Sequence, residues 1–487
     1  MIEHELESGA LVVRNSVILL VGQLLTQAIT LVLGITITRV LGAAEYGRYV
    51  AAFAFATVFI SFTGLGLEKL LIREIARCPT EASDLMHNAT LVRLAMSLIV
   101  YVIMIAGTYI LRFDAYQRRI ALLAGVVTEL TSLADFVRVV FQAFERMEFD
   151  ALSRVLERIT AAILVMGTLW YWRSAVGVTT GLLLSNLVAL GGTLWLASKF
   201  VHFRGRPQRE GGLTLLKMTI PFAITSVIVG VITRLGPFFL SLMRPVVEVG
   251  WYGAAMNLVL PLTLLPQAFS SSLFPRLSKQ YADDPGSAER ASSLSIKWTL
   301  QVAFPIAGIL IGLADVLVAT LYGSNYSSSA LLLRLLAGDL VLIFVNTVVS
   351  NILGALGRQD VVAAVVTMYL MLTIALCLGL IPTLGGAGAA LAIICRDLFG
   401  SAVMLWALGR ATGFSPLRTL AGTFVSGVMM LAILGICIFA HFPSGWLIAL
   451  CVYAGMLFVT RSIGLTEWHL VGQVLQACSR AIMESVR

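Results

Sequence analysis

The chain has 487 residues, of which 59% are apolar and only 12% charged, against ~45–50% and ~25% in soluble domains. So few charges cannot cover a water-facing surface, and so high an apolar fraction excludes a disordered chain. The formal net charge of +8 sits almost wholly in short connections between apolar runs, the pattern of membrane orientation rather than of nucleic-acid binding.

Apolar runs long enough to cross ~30 Å of hydrocarbon as helices recur along the whole chain. They predict an all-α polytopic membrane protein of about fourteen helices, over 16–38, 48–71, 90–111, 120–143, 155–172, 175–199, 215–242, 249–273, 298–321, 329–354, 360–382, 386–409, 418–440 and 444–462. Residues 1–10 are acidic and lack a basic n-region, so the first run is expected to be an uncleaved helix. An even number of spans puts both termini on one side. Lys and Arg concentrate there, as at Arg73, Arg77, Arg204, Arg206, Arg276 and Lys279, whereas the opposite loops hold few, such as Arg39, Arg48 and Arg173. Both termini are therefore expected in the cytoplasm. The connections at 202–212 and 275–293 are too short to fold alone, which excludes a catalytic domain carried on an anchor. In the tail, Trp468, Val471, Leu475, Cys478 and Ile482 follow 3,4,3,4 spacing. This reads as a helix lying on the cytoplasmic surface, with a frayed tail as the alternative.

Six scattered cysteines without a CxxC pair offer neither a disulfide framework nor a zinc site. No phosphate-loop, HExxH or GxSxG motif occurs, so ATP-driven transport by this chain alone is unsupported and no cofactor is expected. Gly385-Gly386-Ala387-Gly388 reads as a turn with close helix packing rather than a phosphate cradle.

Two segments recur. Glu45-Tyr46-Gly47-Arg48-Tyr49, after the first helix, matches Glu248-Val249-Gly250-Trp251-Tyr252, after the seventh, at an offset of 203. Ala143-Phe144-Glu145-Arg146-Met147-Glu148 resembles Ala355-Leu356-Gly357-Arg358-Gln359-Asp360 at an offset of 212. Their agreement on a six-helix phase predicts a duplication, with lobes over 1–205 and 206–412, an additional helix pair over 413–464 and the tail helix over 465–487. Six is even, so the copies insert in the same orientation, as in transporters that rock around a site between two lobes. Each motif glycine reads as a tight turn and each motif tyrosine as an interfacial anchor, with substrate contact as the alternative.

The opening, Arg14-Asn15-Ser16 through Arg39-Val40-Leu41-Gly42-Ala43-Ala44-Glu45-Tyr46-Gly47, and the stretch from Gly64-Leu65-Gly66-Leu67 to Leu71-Ile72-Arg73-Glu74-Ile75-Ala76 resemble polysaccharide flippases of the Wzx-like, O-antigen type. These belong to the multidrug/oligosaccharidyl-lipid/polysaccharide exporter superfamily, with the lipid II flippase and the multidrug and toxin extruders. The resemblance covers roughly residues 14–410 and is specific in the first 80. It implies a lipid-linked glycan as substrate, membrane lipids around it, and polysaccharide polymerase and glycosyltransferases as partners. A polyprenyl-diphosphate-linked oligosaccharide would enter a cavity between the lobes and leave on the outer leaflet, without any enzymatic step.

Seven ionisable residues lie deep in expected spans: Glu129, Asp135, Arg138, Arg234, Asp339, Arg396 and Asp397. Exposed to lipid, each would cost ~2.5–3.5 kcal/mol, together more than the ~5–15 kcal/mol net stability of a typical fold. They must face one another or water. On the fourth helix, Thr128, Thr131, Asp135, Arg138 and Gln142 form one polar stripe, and Gln23, Thr26, Thr30 and Gly34 repeat the idea on the first. These stripes read as cavity lining, with Gln23, Asp135, Arg138, Gln142, Arg234 and Arg396 as candidate substrate contacts. The alternative for Asp135 and Arg138 is an i,i+3 ion pair buried for packing. Arg234 stands alone on the seventh helix and needs either a diphosphate, whose oxygens match a guanidinium fork, or a partner such as Glu129 or Asp339. Glu129, Asp339 and Asp397 are candidates for ion coupling. With three positive against four negative deep charges, a cation-coupled extruder also fits. A membrane polymerase or ligase fits less well, because the external connections are short.

Overall fold

The structure is a computed structural model that describes residues 2–201, 209–267, 285–413, 415–440, 442, 445–460 and 462. The expected tail helix over 465–487 lies outside the described residues, as do most of the two longest connections. Helix follows helix, with no strand among the described residues. In chain order these are α1 (Ile2–Gly64), α2 (Leu67–Arg77), α3 (Ala82–Ile110), α4 (Ala115–Ala143), α5 (Met147–Tyr171), α6 (Ala175–Ala197) and α7 (Arg209–Met243). They continue with α8 (Val246–Val259), α9 (Pro285–Gly312), α10 (Ala314–Leu321), α11 (Ser329–Ala355), α12 (Gln359–Thr412), α13 (Pro416–Phe439) and α14 (Gly445–Val459).

Among the described residues, ten helical runs have the length and apolarity to cross a membrane, and the chain is a multi-pass membrane protein. Two of them are too long for one crossing. A straight helix of 63 residues would extend ~95 Å, about three times the hydrocarbon thickness. Both long helices break where only glycine bends without strain: α1 at Gly42 (φ 71°) and α12 at Gly385 (φ 57°). The expected fourteen separate spans are not all distinguished by length and apolarity, which give about ten to thirteen long apolar helices. α5 falls short because Asp150, Arg154, Glu157 and Arg158 interrupt its apolar face, and α14 has only 15 residues.

The central packing is carried by α11, lined by Leu333, Leu340, Val349 and Leu353, none of which is exposed. It lies against α9 and α12, while α6 packs against α4 and α5, and α1 touches both α7 and α8. The α13–α14 pair joins through α9.

The repeated motifs meet face to face. A Cβ on Gly47 would run into the Val246 carbonyl, and one on Gly250 into the Ala43 carbonyl. The motif glycines are thus not turn residues, as the sequence suggested; they let two backbones from opposite halves of the chain touch. Nor are the tyrosines interfacial anchors. Tyr252 is fully buried, and Tyr49 stacks between Tyr46 and Phe53. The motif acids act in parallel. Glu45 accepts from the Ala175 amide at the start of α6 (3.0 Å) and from the Tyr116 hydroxyl (2.7 Å). Glu248 accepts from the Gly386 amide just after the α12 break (3.2 Å). Each carboxylate offsets orphan amides at a helix start and pairs with an arginine, Arg48 or Arg244. The two halves are thereby held together at this end.

Gly250→Val is expected to overpack the contact at a cost of about 1–3 kcal/mol and to part the halves there. Spin labels at Tyr171 and Thr320 should show a longer separation in the variant; an unchanged separation would refute the closure.

Candidate functional site

The deep charges fall into three neutralising clusters and one exception. In the first cluster, Arg93 of α3 is fully buried. It pairs with Glu68 (3.3 Å) and Glu129 (3.6 Å) and donates to Ser132 (2.5 Å). Glu129 also accepts from Ser97 (2.5 Å) and Thr63 (3.1 Å). The second cluster joins α4 to α5. Arg138, 1% exposed, donates to Asp135 (2.9 Å), Ser153 (3.0 Å) and Glu157. Arg154 bridges Asp135 (2.9 Å) and Asp150 (3.1 Å), and Gln142 donates to Asp150 (3.2 Å).

The third cluster lies in the second half. Asp397 receives both Arg396 nitrogens, at 2.9 and 2.8 Å, and the guanidinium covers the Tyr369 ring at 5.1 Å. Asp339 is buried beside this pair, with Oδ1 lacking a donor among the described residues. Glu129 and Asp339 lie 210 residues apart, the interval of the internal repeat. In each half, two acids share one guanidinium.

Arg234 of α7 is the exception. Its side chain is accessible although protein encloses it on most sides. Tyr46 and Tyr49 lie within electrostatic range. Among the described residues it makes no hydrogen bond or ion pair, so neither Glu129 nor Asp339 serves it. Arg158 of α5, half-buried and within range of Tyr49, is likewise without a described partner. Sequence reasoning passed over Arg158 because it stands in the first turn of the expected 155–172 span, where a basic residue reads as a membrane-edge charge. Arg93, Arg154 and Glu157 were missed too; an acid or base spaced to face Arg138 from the next helix was the available signal.

The α4 stripe does not line one surface. Thr131 accepts from Asn186 of α6 (2.7 Å) and Arg138 is sealed against α5, whereas Asp135 keeps a 43% exposed side chain. Gln142 lines a cavity together with Gln23 and Thr26 of α1 and Asp150 and Arg154 of α5. Thr26 and Thr30 satisfy their hydroxyls on carbonyls four residues back, and Gly34 instead accommodates Asn257 of α8. Arg396 faces Asp397, not the cavity. Nearer the span ends, Arg334 and Asp315 pair with each other.

This architecture is the fold of superfamily flippases and transporters. The lipid II flippase MurJ, in an inward closed conformation, superposes with a TM-score of 0.70 at 16% identity, covering 90% of this chain and 97% of that one. An inward-facing multidrug resistance transporter of the MATE family gives 0.61 at 18% identity, with 80% and 95% covered. The chain belongs to the polysaccharide biosynthesis protein family, which matches residues 12–281. It is 29% identical over 207 residues to a probable flippase, AglR, of Haloferax volcanii, covering 41% of this chain and 42% of that protein. It is 27% identical over 172 residues to a probable low-salt glycan biosynthesis flippase, Agl15, of the same organism, covering 33% and 36%. The matched stretch thus spans less than half the length of these relatives, both probable flippases.

Arg138→Ala would strand the buried Glu157, while Asp135 keeps Arg154, at an expected cost of about 3–5 kcal/mol. Arg158→Ala should leave thermal unfolding in detergent nearly unchanged. Equal melting losses in both variants would contradict this division between structural and free arginines.

Proposed function

We propose that the protein carries a polyprenyl-diphosphate-linked oligosaccharide from the inner to the outer leaflet of the cell membrane by alternating access. The observation that carries this reading is the pair of guanidinium groups without a partner among the described residues, Arg158 and Arg234, both within electrostatic range of Tyr49. The three clusters hold four arginines against seven acids, so each retains one excess negative charge, while these two groups would leave a local charge of +2 where a ligand sits. A diphosphate offers two negative centres whose oxygens fit the two forks. The lobes would be residues 1–205 and 206–412, with 413–464 as an accessory pair and both termini cytoplasmic. The Gly47–Gly250 contact would then close the external end, leaving the cavity open to the cytoplasm. Polymerase and glycosyltransferase partners would act on either side of the transport step. Glu129, Asp339 and Asp397 would exchange a proton or sodium ion during the cycle, because the cluster that holds each of them has one carboxylate more than its guanidinium balances.

The excess of buried carboxylates also favours a second reading, a cation-coupled extruder on the same fold. Mass spectrometry of lipid extracts from cells depleted of the protein separates the two. Accumulation of a complete glycan unit on its polyprenyl diphosphate is expected. Its absence, together with new sensitivity to cationic drugs, would select the extruder.

Arg234→Ala and Arg158→Ala should each abolish transport in an inserted, folded protein, with Arg234→Lys restoring part of it by charge without the fork. Asp339→Asn should remove the dependence of transport on the driving ion gradient. Full transport by either Ala variant would exclude that arginine as a ligand.

A further inference from the structure

The cavity beside the second cluster has a chemistry of its own. Its volume is about 460 Å³, within the ~300–1,000 Å³ of small-molecule sites. α1 supplies Gln23, Thr26 and Gln27, and the α4–α5 corner supplies Gln142, Asp150 and Arg154. Leu264, from the second half of the chain, completes the wall, so the cavity opens between the halves. We propose that this cavity is a sugar subsite, which receives the first ring of the glycan while Arg158 and Arg234 hold the diphosphate. The inference rests on the flippase reading and adds to it the part of the substrate that is recognised, and by what.

The argument is one of charge. Arg154 is already balanced by Asp135 at 2.9 Å and Asp150 at 3.1 Å. The two charged residues that line the cavity, Arg154 and Asp150, thus pair with each other, and the wall itself carries no net charge. What remains is neutral and polar. Gln23 and Gln27 make no hydrogen bond among the described residues, and Gln142 spends one amide hydrogen on Asp150 while its carbonyl has no described donor. Each free amide offers donors and an acceptor side by side, which matches the adjacent hydroxyls of a sugar ring. A neutral ligand dense in hydroxyls is the class that such a wall favours over lipid tails or ions. Met147 adds an apolar, adaptable surface for a ring face.

The placement agrees with the order of groups in the substrate. Arg154 and Arg158 are one helical turn apart on α5, about 6 Å. Arg154 lines the cavity and Arg158 lies deeper along the helix, toward Tyr49. A diphosphate on Arg158 and Arg234 would therefore direct its sugar into the amide-lined cavity, one turn nearer the Met147 end of α5.

The full chain in nanodiscs tests this with two probes, polyprenyl diphosphate and the same lipid carrying one N-acetylhexosamine. The unmodified protein should bind the glycosylated probe about tenfold more tightly, the worth of one or two net hydrogen bonds. Gln23→Ala/Gln27→Ala should erase that preference by weakening only the glycosylated probe. Gln23→Ala alone, at an exposed position, should reduce it by a smaller factor and guards against a folding defect in the double variant. Equal affinity of the unmodified protein for the two probes would overturn the sugar subsite and leave the flippase reading intact, as would a preference that survives the double substitution. Failure of the unmodified protein to bind either probe would instead overturn the flippase reading itself.

Discussion

A guanidinium or carboxylate in hydrocarbon must find an opposite charge, water or a ligand, and the organisation of this protein follows from that constraint. Arg93 and Arg138 are the largest of its fully buried side chains, and each is surrounded by carboxylates and a serine hydroxyl. Those contacts tie α3 to α2 and α4, and α4 to α5, by geometry as well as by charge. Once these arginines are assigned to structure, the two that remain without partners acquire meaning. Among the described residues the clustered acids outnumber the clustered arginines, yet Arg158 and Arg234 are left without a described carboxylate partner.

Neutralisation also recurs at the interval of the internal repeat. Glu45 and Glu248 each receive an amide from the start of a later helix in their own half, and Glu129 and Asp339 each compete with a second acid for one guanidinium. The two halves share the device while differing in the residues that supply it: the arginine comes from α3 in one half and from the last part of α12 in the other. Such buried excess charge is sensitive to any proton or ion that reaches it, which is how a local binding event could alter the packing of a whole half.

The glycine contact sets where the halves can meet. With side chains absent at Gly47 and Gly250, two backbones touch directly, and no other residue type would permit that approach. Beside this contact, Tyr49 lies within electrostatic range of Arg158 and Arg234, and Arg154, one turn from Arg158 on α5, lines the amide-rich cavity.

The sequence by itself determined the membrane class, the helical content, the approximate position of each long apolar helix and the offset of the repeat. Those follow from local quantities, apolar run length and residue order, that need no knowledge of neighbours. It also marked Arg234 as a charge in want of a partner, since nothing polar enough to serve it lies on its own helix. Only the tertiary structure decided which charges are spoken for. Arg138 looked like a cavity residue because its stripe on α4 was continuous, but Glu157 and Ser153 arrive from α5 and turn it inward. Arg158 did not stand out in the sequence because it lies in the first turn of the expected 155–172 run, but α5 starts at Met147 and carries it well into the helix. Gly47 and Gly250 looked like turn residues until their backbones were seen to meet. In each case the deciding partner lies on another helix, and the pairing of helices is a property of packing that no single run of residues encodes.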